Sequence, residues 1–345
     1  RLVGSEMCIR DRGYVGLPLA AALVRAGYPT LGIDTDIGRV QALEGGEPYI
    51  AHLGELVRHL AGSDSFTATS DLRALGTADA VLICVPSPLD TNMIPDLGPI
   101  EKAAADVAEF GHPDQLVVLQ STTYPGTTRE ILLPALSAPG DSAAPLLADS
   151  PERMDPGGST EFETIPKLVA GLDERSLRVA VTLYESVFAD VRPVAGLEVA
   201  EAAKLLENTF RAVNIALVNE LKVALAPLGL DIWDVIDAAA SKPFGFMAFY
   251  PGPGVGGHCI PVDPKYLSWQ GHNQNTPMAL TETAIRINAA MPAYVVGRLT
   301  AALEAREQPI QGSRVLVVGV SYKPGIEDLR RSPALAVIEE LERLG

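Results

Sequence analysis

Gly13-Tyr14-Val15-Gly16-Leu17-Pro18-Leu19-Ala20, followed by Thr30-Leu31-Gly32-Ile33-Asp34, is the stretch from which the fold is read. A Gly-x-x-Gly turn opening an apolar helix is the second half of Gly-x-Gly-x-x-Gly. In that turn the absent side chains let backbone amides approach a pyrophosphate. Asp34 stands 18 residues after Gly16, at the end of an apolar run. An acid placed there bonds ribose hydroxyls and repels a 2′-phosphate, so NAD is expected rather than NADP. Arg39 either lies over the adenine or ribose or is a plain surface arginine. Gly13, Tyr14, Val15, Gly16, Asp34 and Arg39 are the candidate cofactor residues of this segment.

Upstream, the pattern calls for an apolar strand and a glycine at position 11. The chain instead reads RLVGSEMCIRDR over residues 1–12, with Asp11 where the glycine belongs. A Cβ crowds that turn and a carboxylate faces the pyrophosphate. The stretch also resembles a translated sequencing adapter. Residues 1–12 are therefore predicted to be a non-native leader, with the first strand missing; the alternative is a divergent but real leader, and a competing reading is that a chain so altered cannot bind NAD.

Downstream, 79–86 and 115–122 read as strands and 96–110 as a helix, the βαβ rhythm of a doubly wound parallel sheet. Pro86, Ser87 and Thr122 close two of these strands, at the edge where dinucleotides bind. Cys84 reads as a buried core thiol. The expected architecture is α/β: a Rossmann-like NAD domain over 13–195, a central helical domain over 196–300, and the start of a second Rossmann-like domain over 301–345. Residues 197–226 read as a long helix with apolar positions on more than one face, including Leu205, Leu206, Phe210, Val213, Leu217 and Leu221. Arg314-Val315-Leu316-Val317-Val318-Gly319 reads as a buried parallel strand, and 333–344 as a helix. One strand and one helix cannot bury a sheet, so the last domain is expected to be truncated.

Composition bounds the function. The chain has 345 residues, 47% hydrophobic and 20% charged, with a formal charge of −16. So acidic a surface repels nucleic acid and anionic membranes, and an anionic substrate needs a local basic pocket. Three cysteines form no disulfide framework, so a reducing cytoplasm is expected. No apolar run reaches the about 18 residues of a membrane helix. The histidines show no paired ligand spacing, and no metal is expected.

Four further segments carry a resemblance: SPERMDPG over 150–157, EAAKLLEN over 201–208, GGHCIPVDP over 256–264 and VSYKPGIEDLR over 320–330. In this order they resemble the UDP-glucose/GDP-mannose dehydrogenase family, from Gly13 to Gly345. The resemblance implies an NAD-dependent, four-electron oxidation of a UDP-sugar at its sixth carbon. His258, together with 249–254, looks most like enzymes acting on UDP-N-acetylglucosamine; UDP-N-acetylmannosamine and UDP-glucose stay open. It further implies catalytic roles for Thr122, Glu152, Lys204, Asn208, Cys259 and Asp263. It implies substrate contacts for Glu152, Lys204, Asn208, Phe249, Tyr250, Gly256, His258 and Lys323, a cofactor contact for Arg330, and a homodimer built through the central helices.

The residues support this chemistry with alternatives beside it. An alcohol becomes an acid in two hydride steps, and a thiolate is suited to trap the aldehyde between them as a thiohemiacetal that oxidises to a thioester. Cys259 follows two glycines that permit a tight loop; the alternative is a buried loop cysteine. Lys204 and Asn208 are four apart on one helix face, placed either to hold the reacting oxygen or toward solvent. Asp263 is a base or water holder, or a turn former before Pro264. Glu152 activates water, or is a helix-start or loop carboxylate after Pro151. His258, adjacent in sequence, is assigned to substrate or loop rather than to activation of the thiol. The segment 244–257 reads as a substrate loop and as a packed connector. The rival chemistry is a single-step β-hydroxyacid dehydrogenase, which shares the glycine turn and lysine-asparagine helix and needs no cysteine.

Overall fold

The computed structural model describes residues 5–10, 13–137, 144–155, 157–158 and 160–345. Asp11, and with it the expectation for the first glycine, lies outside the described residues. The chain divides into two compact units, Arg1–Leu205 and Leu206–Gly345.

The first unit is an eight-stranded sheet: β1 (Met7–Arg10), β2 (Thr30–Ile33), β3 (Phe66–Thr69), β4 (Ala80–Ile83), β5 (Leu116–Leu119), β6 (Leu146–Asp149), β7 (Lys167–Gly171) and β8 (Val191–Pro193). Their spatial order is β3-β2-β1-β4-β5-β6-β7-β8. All neighbours are parallel except β6 and β7. The first six strands have the doubly wound order, with its topological switch between β1 and β4. Around the sheet lie α1 (Gly16–Arg25), α2 (Ile37–Glu44), α3 (Gly54–Ala61), α4 (Gly98–Phe110), α5 (Leu133–Leu136) and α6 (Glu174–Glu185).

The expectation of a missing first strand is corrected. Met7–Arg10 is a central strand, paired with β2 on one side and β4 on the other. Met7 and Ile9 are fully buried in the core that includes Leu17, Ala20 and Ala21 of α1. Cys8, fully buried, belongs to the opposite core, with Val81, Ile83 and Ala103. Three apolar residues suffice because the strand is four residues long and both edges and both faces are covered. The flanking charges at Glu6 and Arg10 had masked so short a run.

The second unit is helical. The long helix α7 (Leu197–Leu225) begins in the first unit and continues into it, followed by α8 (Ile232–Ala240), α9 (Asp263–Asn273), α10 (Ala279–Glu304) and α11 (Pro333–Leu344). Asn219 Nδ2 donates to Asn288 Oδ1 at 2.9 Å, and Asn288 Nδ2 donates to the Ala212 carbonyl at 3.0 Å. This buried amide pair ties α7 to α10, and Asn219 Oδ1 also accepts from Gly252 N at 3.0 Å, which anchors the loop ahead of Cys259. Buried amides satisfied this way hold one register, since any slip leaves them unpaired.

The strand expected over Arg314–Gly319 is not formed. Leu316 and Val318 are 85% and 86% exposed. A parallel strand needs ladder partners, and every strand among the described residues belongs to the first unit. The helix over 333–344 is present as read, capped by the Ser332 hydroxyl accepting from Ala334 N. No helix among the described residues is long and apolar enough to cross a membrane.

Candidate active site

In the first unit the expected residues gather at one edge of the sheet. Gly13 follows β1, Asp34 follows β2, Pro86 and Ser87 follow β4, Thr122 follows β5 and Glu152 follows β6. All five strands are parallel, so these positions share the carboxyl edge. The N-terminus of α1 has no side-chain cap at Val15. Leu17 N donates to the Gly13 carbonyl at 3.3 Å and Pro18 has no N–H, so what favours an anion here is the positive end of the helix behind the Gly13–Gly16 turn. Asp34 is buried; its Oδ1 accepts from Asp36 N at 2.9 Å, and Arg39 Nη1 lies 3.6 Å from its Oδ2. Arg39 therefore stands beside the acid expected to meet the ribose. A dinucleotide with a free 2′-hydroxyl fits this set of residues: a glycine turn at the positive end of a helix for the diphosphate and a fixed carboxylate for the ribose.

The segment carrying Thr122 is tied down on both sides. Ser121 Oγ donates to the Val85 carbonyl at 2.6 Å, locking the ends of β4 and β5 together. Beyond Thr122, Glu201 of α7 accepts from Gly126 N at 2.6 Å, Thr128 N at 2.8 Å and Thr128 Oγ1 at 2.7 Å. Lys204, itself buried, lies one helical turn further along the same helix. Glu201 thus couples the Thr122 loop to the helix segment that presents Lys204. Sequence reasoning missed it; the only signal was its place three residues before Lys204.

Glu152 is buried and fully oriented. Its Oε1 accepts from Arg153 N and Met154 N, both at 2.7 Å, and its Oε2 lies 3.0 Å from Lys167 Nζ. No helix starts at Pro151, so Glu152 is a loop carboxylate rather than a helix-start one. Lys167 was not anticipated, because a lysine beginning a strand reads as an edge charge.

In the second unit, Cys259 sits at the entrance to α9. Its carbonyl accepts from Val262 N at 3.0 Å and Asp263 N at 2.8 Å, closing the turn that starts the helix. Asp263 and Pro264 open α9, where an acid and a proline are both favoured. Asp263 is buried, and Asn208 Nδ2 donates to its Oδ2. The structure thereby brings Asn208, Asp263 and the Cys259 turn together. Cys8 and Cys84 are buried, whereas Cys259 is partly exposed, and none of the three is in a disulfide.

The two glycines before Cys259 meet close neighbours. A Cβ on Gly256 falls 2.4 Å from Tyr322 Cβ and 3.0 Å from the Arg331 carbonyl. Gly257 has φ +87° and donates from its N–H to the Arg330 carbonyl at 3.1 Å. The loop is therefore laid directly against the segment that follows Lys323. Lys323 is partly buried there, its carbonyl accepting from Ser321 Oγ at 3.1 Å. Arg330 forks onto Asp328, Nε to Oδ1 at 2.9 Å and Nη2 to Oδ2 at 2.6 Å. Burial opposes the charge of Asp328, but the Arg330 guanidinium and amide, with His258 nearby, hold its carboxyl below the usual range. Phe249 packs edge-on against Phe210 at 5.8 Å, and Tyr250 stacks on Trp233 at 5.4 Å, so this segment is at least a packed connector.

Residues 5–188 match the NAD-binding domain, and 198–290 the central domain, of the UDP-glucose/GDP-mannose dehydrogenase family. The chain belongs to this family. It is 35% identical to Protein CapL of Staphylococcus aureus over 338 residues, 96% of this chain and 78% of that protein. It is 34% identical over 341 residues to UDP-N-acetyl-D-glucosamine 6-dehydrogenase of Pseudomonas aeruginosa, covering 97% and 80% of the two. Among solved structures, UDP-D-ManNAc dehydrogenase of Pyrococcus horikoshii superposes with a TM-score of 0.90 at 31% identity, over 98% of this chain and 81% of that one. The family member described here is an NAD-dependent nucleotide-sugar dehydrogenase.

Proposed function

We propose that this dehydrogenase oxidises UDP-N-acetylglucosamine at its sixth carbon, in two hydride transfers, to the uronic acid, with Cys259 carrying the carbon between them. The observation that carries the reading is that Cys259 is the one accessible cysteine of three and sits in a glycine-flanked turn fixed by α9. Gly13 to Gly16, Asp34, Arg39, Pro86, Ser87 and Thr122 would hold NAD, which when bound would supply the hydride acceptor.

The remaining chemistry belongs to side chains. Lys204 and Asn208, one turn apart on α7, are suited to hold the reacting oxygen as it gains negative charge. Asn208 also fixes Asp263, a buried carboxylate available to take or hold a proton. The Cys259 thiolate adds to the aldehyde carbon, and loss of the second hydride leaves a thioester. Glu152 activates water for its cleavage. The water oxygen bonds to the carbonyl carbon, the carbon–sulfur bond breaks, and the sulfur keeps the electron pair and takes up a proton. The released acid ionises, so hydrolysis gives one proton to solvent, in addition to the one released in each of the two oxidations. Lys323 supplies positive charge for the diphosphate, and Phe249, Tyr250, Gly256 and His258 shape the sugar and nucleotide contacts.

The UDP-N-acetylglucosamine assignment is supported by the Pseudomonas relative. The Pyrococcus structure favours a second reading, the C2 epimer UDP-N-acetylmannosamine. A panel of UDP- and GDP-sugars tests this, with the highest kcat/KM expected for UDP-N-acetylglucosamine; a preference for the epimer would replace it. Exposed Leu206, Phe210, Leu217 and Leu221 along α7 support a homodimer through that helix.

A further inference from the structure

Lys167 is the first residue of β7, and its side chain is 3% exposed. Its ammonium lies 3.0 Å from Glu152 Oε2 and donates to Gln120 Oε1 at 2.8 Å. The rings of Tyr184 and Phe188 cover it at 5.7 and 5.5 Å from their centroids, a cation–π arrangement. Gln120 in turn donates from Nε2 to the Tyr184 hydroxyl. Burial, with the nearby Cys84 and carboxylate charges adding to it, pushes the Tyr184 phenol well above its ordinary range, so it stays neutral. The result is a buried hydrogen-bonded network drawn from β7, α6 and the segments after β5 and β6, and it ends on Glu152.

Stability alone gives little reason for such a network. A buried ion pair is commonly matched or bettered by apolar side chains of the same volume. Its effect on Glu152 is specific, however. A carboxylate offers about four acceptor positions. Two on Oε1 are taken by the Arg153 and Met154 amides and one on Oε2 by Lys167, which leaves a single acceptor position on Oε2.

We infer that Lys167 is a positioning residue: it fixes Glu152 so that one lone pair of Oε2 receives the proton of the water that cleaves the Cys259 thioester. This rests on the proposed role of Glu152 in thioester cleavage. Without Lys167 the carboxylate keeps its amide partners but loses the group that sets the direction of Oε2. The formation of the thioester does not need that direction, whereas its hydrolysis does.

The test is rapid mixing of enzyme, NAD and nucleotide sugar, reading NADH and the mass of the quenched protein. Lys167→Met is expected to give a burst approaching two NADH per site, an acyl adduct on Cys259, and a slow phase reduced roughly a hundredfold, the usual size of a misplacement loss. Lys167→Arg is expected to restore much of the slow phase. Glu152→Gln is the reference for the adduct. If Glu152→Gln builds no adduct, the role of Glu152 itself is wrong. If Glu152→Gln builds it but Lys167→Met slows burst and slow phase together without adduct, only the inference about Lys167 is overturned. The double variant Glu152→Gln/Lys167→Met leaves no lone buried charge and decides the matter if Lys167→Met does not fold. Its slow phase is expected to match that of Glu152→Gln alone, because the two residues act as one unit. A further multiplicative loss would overturn the inference.

Discussion

At the scale of single residues, Asp34 and Gly256 make claims that can be checked separately. Asp34 is held by Asp36 N and faces Arg39, so its carboxylate has a fixed orientation, and its proposed partner is a ribose. Asp34→Ala removes a charged hydrogen-bond partner, worth about 1.5–3 kcal/mol, and is expected to raise KM for NAD about 10- to 100-fold. Its preference over NADP should shrink, as initial rates with both cofactors would show; an unchanged KM for NAD would remove Asp34 from the site. Gly256→Ala forces a Cβ to 2.4 Å from Tyr322 Cβ and must displace the turn before Cys259. Thermal melting should show a loss of about 1–3 kcal/mol, the usual cost of overpacking, together with a fall in kcat. Asp34, Cys259, Lys204 and Asn208 could be picked out as candidates in the sequence because each sits within a local pattern or motif. Glu201 and Lys167 could not, because their partners, Thr128 and Glu152, are 73 and 15 residues away and meet them only through the sheet.

At the scale of elements, the meeting of α7 with β6 sets a pH dependence. Thr128 Oγ1 lies 2.7 Å from Glu201 Oε1 and 3.2 Å from Asp149 Oδ2. A hydroxyl has one proton, and giving it to Glu201 leaves Asp149 to act as the donor from a protonated carboxyl. Burial, reinforced by the Glu201 charge, pushes Asp149 well above the usual carboxylate range, in agreement with that assignment. Folded Asp149 therefore keeps a proton that the unfolded chain releases once pH passes the usual range. Its contribution to stability is full in acid and is lost as pH rises toward the raised value. Asp149→Asn is expected to gain melting temperature over the parent as pH rises from 4 toward 7, and to converge with it in acid. A difference constant across pH would contradict this. Elements differed in how far they could be read. The helix over 333–344 and the strand cores after residues 30, 80 and 116 follow from apolar periodicity and flanking breakers. Met7–Arg10 was hidden by its charged flanks, and Arg314–Gly319 reads as a strand but has no ladder partner, since sequence reports propensity and not pairing.

At the scale of the whole molecule, two properties follow from the reading as a nucleotide-sugar dehydrogenase. Leu217, 50% exposed on α7, lies on the face assigned to a second copy. Leu217→Glu should convert a dimer to a monomer in sedimentation, and a parent chain that is monomeric at all concentrations would remove the dimer from the account. The central claim is that one enzyme takes the same carbon through two oxidations with Cys259 holding it in between. The NADH formed per UDP-N-acetylglucosamine consumed measures this directly. Two are expected, with Cys259→Ala forming little acid; a ratio of one, with acid output unaffected by Cys259→Ala, would contradict this.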